Sequence, residues 1–181
     1  RGEEPEKKRT VSRLDRLRDL YKKINTEESR EFQKQLDDMG ENANNRLQSK
    51  ALFLYYTQLG KCMYSGTPLT LSMLNDKKYC NIDHIYPQKY VKDDSLINNE
   101  VLVLSTENGK KKDDFPVTPD IQQRMRSYWE HLKNNGLISE EKFRRLTRKT
   151  GFTEEEKLNF INRQLVETRQ STKVLTQLLS I

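Results

Sequence analysis

Only two stretches of this chain have the brevity and apolar texture of buried strands, YCNIDHI at residues 79–85 and VLVLS at residues 101–105. A polar segment of about fifteen residues separates them. If the two pair, they form a hairpin that cannot stand alone in water and has to borrow a core from helices. Connecting segments of that length without their own secondary structure are uncommon, and they tend to be functional or disordered.

Helical periodicity supplies that core on both sides. Val11, Leu14, Leu17, Tyr21 and Ile24 recur at helical spacing, with charged residues between them. A second helix is expected from the N-cap Thr26 through Phe32, Leu36 and Met39 to Gly40. A third runs from about Asn45 through Leu47, Leu52, Leu54, Tyr55 and Leu59, closed by Gly60. GKCMYSGTPLT then breaks the pattern with turn residues. Ser105 is placed to cap a short helix through TENGKKKD. Thr118 and Pro119 open a helix carrying Ile121, Met125, Tyr128, Trp129 and Leu132 on one face, with Gly136 past its end. A short helix follows Ser139, and Thr153 with Glu156 forms a capping box for a helix extending to Leu179. The expected class is α+β and mostly helical.

The chain's 181 residues suit one domain, and hydrophobic and charged residues at 33% each give a modest core under a heavily charged surface. A net charge of +6 favours a polyanionic partner, although acids are interspersed with the bases. No apolar run approaches the roughly 20 residues of a membrane span, and RGEEPEKKR has no signal-peptide core, so no membrane association is expected. Two cysteines, Cys62 and Cys80, cannot build a four-thiolate zinc site and read as ordinary thiols. Phosphate-cradling GxxxxGK[ST], GxSxG and GxGxxG patterns are absent, which removes nucleoside-triphosphate and acyl-transfer chemistry.

What remains is the adjacency of Asp83 and His84. Neighbours on a strand face opposite sides unless the backbone bends, and Pro87 marks a break soon after His84. If the helix after VLVLS returns Asn108 over the strands, the Asp83 carboxylate and the Asn108 amide oxygen could hold a hard cation such as Mg2+ with water and phosphate. A neutral His84 imidazole could then take a proton from water near pH 7, giving phosphodiester hydrolysis. The competing reading is a structural Asp-His pair with Asn108 as a cap. His131 lacks the HExxH spacing of a zinc protease and reads as a helix-surface residue. Lys89, Lys92, Lys110 and Lys111 flank the site and could contact DNA phosphates, but Asp93, Asp94, Asp113 and Asp114 among them suit an ordinary mixed surface equally well.

The order of segments GKCMYSG, NIDHIYPQKYVKDDS, NNEVLVLSTENGKKKDD and FINRQLVETRQSTK resembles the HNH nuclease domain of the RNA-guided DNA endonuclease of type II CRISPR systems. The resemblance implies a ββα-metal (HNH) core with flanking helices, in which Asp83 and Asn108 bind Mg2+, with Mn2+ as a substitute, and His84 is the general base. It implies as substrate the target DNA strand paired to guide RNA, with sequence read by base pairing. It further implies residues 1–12 as a connector from a RuvC-like domain, 13–158 as the nuclease domain, and 159–181 as a connector helix toward the RuvC-like domain. The remainder of the effector is then the expected partner, the fragment is monomeric, and the setting is the bacterial cytoplasm. Asn81 stands where the family commonly has an acid, and SLINNE is about one residue longer than usual, so Asn98, Asn99 or Glu107 are alternative third residues. A free-standing HNH nicking endonuclease and a non-catalytic, helical nucleic-acid-binding module are the alternative functions.

Overall fold

A computed structural model describes residues 11–108, 115–163 and 165–166. The first two helices form as their caps dictate. Helix α1 (Arg13–Ile24) is capped by Ser12, whose hydroxyl accepts from Asp15 N at 3.1 Å, and it ends at Asn25 in the left-handed conformation with φ 49°. Helix α2 (Glu27–Asp38) starts in a reciprocal capping box between Thr26 and Ser29. Their apolar faces place Leu17, Tyr21, Phe32 and Leu36 against one another in the core.

The expected third helix is two helices. Short α3 (Ala43–Arg46) ends at Leu47, and α4 (Lys50–Thr57) begins afresh because the Ser49 hydroxyl caps Leu52 N. The apolar spacing alone hid this break, since Leu47 before it and Leu52 after it are both buried. Helix α4 is buried nearly all round, and Tyr55 and Tyr56 pack edge-on against Phe32. Gly60 is confined by that packing. Its φ is +70°, and a Cβ there would lie 3.0 Å from the Phe32 ring.

Strands β1 (Cys80–His84) and β2 (Glu100–Leu104) pair antiparallel, from Cys80 opposite Leu104 to His84 opposite Glu100. The loop 85–99 between them is the long polar connection expected from the sequence. Helix α5 (Ser105–Asn108) follows directly and packs on both strands, so the local order is strand, strand, helix. Ser105 is its first residue, not its cap, and its hydroxyl donates to Lys77 O at 2.9 Å.

Beyond β2 lies a side-chain substitute for a neighbouring strand. Buried Gln58 accepts from Leu102 N at 2.8 Å and donates to Leu102 O at 2.9 Å, and Met63 N also donates to that carbonyl at 3.1 Å. Helix α6 (Pro119–Asn134) closes this side: Trp129, fully buried, donates from Nε1 to Met63 O at 2.9 Å, and the Tyr128 hydroxyl donates to Gln58 O. Helix α7 (Glu140–Leu146), capped by Ser139, packs on α6. Residues 154–163 are helical, and the expected box forms, with Glu156 N donating to the Thr153 hydroxyl at 3.1 Å. Residues 1–10 of the expected N-terminal connector and the C-terminal connector beyond 166 lie outside the described residues. Cys62 and Cys80 are both buried and free. No described helix is long and apolar enough to cross a membrane.

Candidate nuclease site

Strand alternation persists to the end of β1 and separates Asp83 from His84. The Asp83 carboxylate accepts from the Tyr64 hydroxyl at 2.6 Å. Burial, reinforced by the Asp83 charge, raises the pKa of that phenol well above its ordinary value, so it stays a donor. His84 lies on the other face, beside its cross-strand neighbour Glu100. Its Nε2 is 2.8 Å from Asp94 Oδ1 and 3.3 Å from Glu100 Oε1. The imidazole hydrogen bond, followed by one from Gln88, holds the Asp94 carboxyl below the usual range. Lys50 Nζ approaches Glu100 Oε1 at 3.0 Å.

The sequence did not single out Glu100, Lys50 or Tyr64 as site residues, and it showed Asp94 only as one charge in a mixed run. Glu100 had a usable signal. Once 80–84 is aligned antiparallel to 100–104, the first residue of the second strand must face the last of the first. Lys50 and Tyr64 carry no such signal, because separate segments bring them in.

The loop between the strands is held from within by Asn99. Its Oδ1 accepts from Tyr86 N and Arg145, each at 2.9 Å, while its Nδ2 donates to Tyr86 O at 3.1 Å and Asp93 O at 2.8 Å. Arg145 also pairs with Asp93 at 2.8 Å and lies 4.6 Å from the Tyr86 ring centre. Asn98 Oδ1 accepts from the Ser139 hydroxyl at 2.9 Å. Both asparagine side chains therefore take part in holding the loop in place. Glu107 pairs with Arg124 at 3.5 Å. Asn108, at the end of α5, lines a cavity with Asn81, Ile82 and Leu102. Asn81 itself reaches Ser105 Oγ at 3.0 Å and so ties β1 to the start of α5.

The same loop carries Lys89, exposed with Nζ 4.9 Å from the Tyr90 ring centre, and exposed Lys92. Lys110 and Lys111 lie outside the described residues. Below the loop, the fully buried Lys142 donates to Leu96 O at 2.6 Å and Glu100 O at 2.7 Å. Burial pushes its pKa from 10.5 down to about 7, and the Glu100 charge partly opposes this. Between those values the unfolded chain binds more protons than the folded one, so stability rises with pH across that window. Urea titrations at pH 7 and pH 9 should show a gain of up to about 1.4 kcal/mol per pH unit, and Lys142→Met should flatten it. A flat wild-type profile would mean that the ammonium stays charged throughout.

Comparison with known proteins now supplies the class. A family profile described as HNH endonuclease matches residues 62–117, which span both strands, the loop and α5. The chain belongs to the HNH endonuclease family, in the form found in Cas9 proteins. It is 43% identical over 156 residues to the CRISPR-associated endonuclease Cas9 of Streptococcus mutans, covering 85% of this chain and 11% of that protein. It is also 43% identical over 138 residues to Cas9 of Listeria innocua, covering 75% of this chain and 10% of the relative. Cas9 of Staphylococcus aureus is 34% identical over 142 residues, covering 70% of this chain and 13% of its own length. The chain thus spans about a tenth of the length of the curated relatives it matches.

Proposed function

We propose that this chain is the nuclease domain of a larger RNA-guided effector and hydrolyses the DNA strand paired to guide RNA, with Mg2+ held by Asp83 and Asn108 and His84 as general base. The observation that carries the proposal is the end of β1. It presents a carboxylate held by Tyr64 and, on the next residue and the other face, an imidazole held by Asp94 and Glu100, next to a helix that packs on the same two strands.

The donor set fits magnesium. Asp83 and Asn108 both offer hard oxygen atoms, the ligand type magnesium prefers, and Tyr64 donates to Asp83 Oδ2. When bound, the ion stabilises charge on the scissile phosphate and the leaving oxygen. Tyr64 fixes the rotamer of Asp83. Asp94 and Glu100 hold the His84 imidazole in place, and its neutral ring takes a proton from the attacking water. Asn99 and Lys142 hold the two ends of the intervening loop, so His84 and Glu100 keep their register. Lys89 and Lys92 on that loop, with Lys110 and Lys111 after α5, are placed in the sequence to meet phosphates. Residues 13–158 form the nuclease unit under this reading, with 1–12 and 159–181 leading to a RuvC-like domain.

The test is a strand-specific nicking assay in the full effector, loaded with guide and labelled duplex. Guide-paired strand cutting should require Mg2+ or Mn2+ and stop with EDTA. Asn108→Ala should raise the Mg2+ concentration needed for half-maximal cutting. Cutting that persists in EDTA, or an unchanged Mg2+ requirement in Asn108→Ala, would refute the assigned ligand pair.

A further inference from the structure

The face of β1 opposite Asp83 carries a second arrangement with the chemistry of a metal site. His84, Asp94 and Glu100 each offer a ligand atom, and these atoms all lie within 4.8 Å of one another. Two of the three approaches already have hydrogen-bond length or nearly so, at 2.8 and 3.3 Å from His84 Nε2. An exposed group of acids would carry little weight, but Glu100 is different. Its side chain is only 1% exposed, and its Oε2 is buried with no hydrogen-bond partner among the described residues. Leaving such an oxygen without a donor is costly, and a cation bound by the Glu100 carboxylate, whose Oε1 faces His84, would lower that cost.

One imidazole nitrogen and two carboxylate oxygens are the ligand types of a three-residue zinc site with a fourth position for water. They suit magnesium poorly, since that ion prefers oxygen alone and keeps most of its water. The opposing charge at the cluster is Lys50, 3.0 Å from Glu100 Oε1, whose side chain is half exposed and can turn into solvent.

We infer that His84, Asp94 and Glu100 form a binding site for a divalent transition ion of the zinc type, separate from the proposed magnesium ligands. Binding requires the Nε2 lone pair, so a proton on Nε2 leaves to solvent or the ring adopts the Nδ1–H tautomer. The occupied imidazole can no longer act as a base through Nε2. Zinc would therefore compete with catalysis instead of supporting it. This consequence rests on the proposed role of His84, whereas the binding itself does not.

Isothermal titration of the chain with ZnCl2 in excess MgCl2 tests the binding directly, with the His84 imidazole nitrogens followed by 15N NMR. One zinc should bind and shift the His84 Nε2 resonance. Outer partners of metal ligands alone are worth about 10–100-fold in affinity, so Asp94→Asn and Glu100→Gln should each weaken zinc by roughly tenfold or more. Asp94 is more than half exposed, so its variant reports even if the buried Glu100→Gln does not fold. Asp83→Asn should leave zinc affinity within about twofold, because Asp83 is not a ligand here, and that result separates this site from the magnesium reading. Wild-type affinity in Asp94→Asn, or a zinc shift on His131 in place of His84, would overturn the inference.

Discussion

Replacing His84 with Ala abolishes cutting of the guide-paired strand while leaving fold and duplex binding nearly intact. That is the expected result in the full effector, measured as single-turnover nicking against filter or gel-shift binding of the same duplex. General-base catalysis is worth about 10²–10⁴-fold, and the rate should fall by at least that much. The fold should tolerate the change, because His84 ends a strand and its described partners are an exposed Asp94 and a Glu100 already paired with Lys50. Truncation removes one neighbour of buried Glu100, so a loss of about 1 kcal/mol is the expected scale. Unchanged cutting of that strand would remove His84 from the role of base.

Asn99→Ala should be the most damaging single change to the fold around the site. Its amide is completely buried and makes four hydrogen bonds, two to Tyr86, one to Asp93 O and one from Arg145. Alanine would remove this partner from the Tyr86 N–H and C=O and from the Asp93 C=O, at about 1–3 kcal/mol each where no other partner replaces it, so a total loss of about 3–5 kcal/mol is expected. Chemical denaturation measures it. The signature distinguishing this residue from a metal ligand is that activity and stability fall together, and added Mg2+ restores neither. Asn99→Ala with wild-type stability would show that the bracket is not what holds the loop.

The helices were legible because their signals are local. Thr26 and Ser139 cap as the sequence implied, and Thr118–Pro119 opens α6 at the expected residue. The break before α4 was not, because Ser49 interrupts a run whose apolar spacing continues across it. Asp83 and His84 stood out as an adjacent pair, and a pairing of 79–85 with 101–105 was foreseen, close to the observed 80–84 with 100–104. The groups that hold them were hidden for a different reason. Tyr64, Lys50 and Lys142 reach the hairpin from segments 19 to 50 residues away, and no periodic pattern encodes such contacts. Asn99 entered only as a fallback ligand, because a carboxamide gives the same sequence signal whether it binds a cation or satisfies backbone groups. Its four hydrogen-bond partners could be seen only once the fold was in place.

The buried amide of Gln58 has one more consequence. A two-stranded sheet ordinarily leaves a row of peptide groups ready to accept a foreign strand, and that invites association between chains. Here a carboxamide reproduces the donor and acceptor of one peptide unit against Leu102, and Met63 N adds a second donor to the same carbonyl. The outer border of β2 is thereby closed at its centre by a side chain shaped like backbone. Such a hairpin can sit inside a large multidomain enzyme, next to other sheets, without exchanging strands with them.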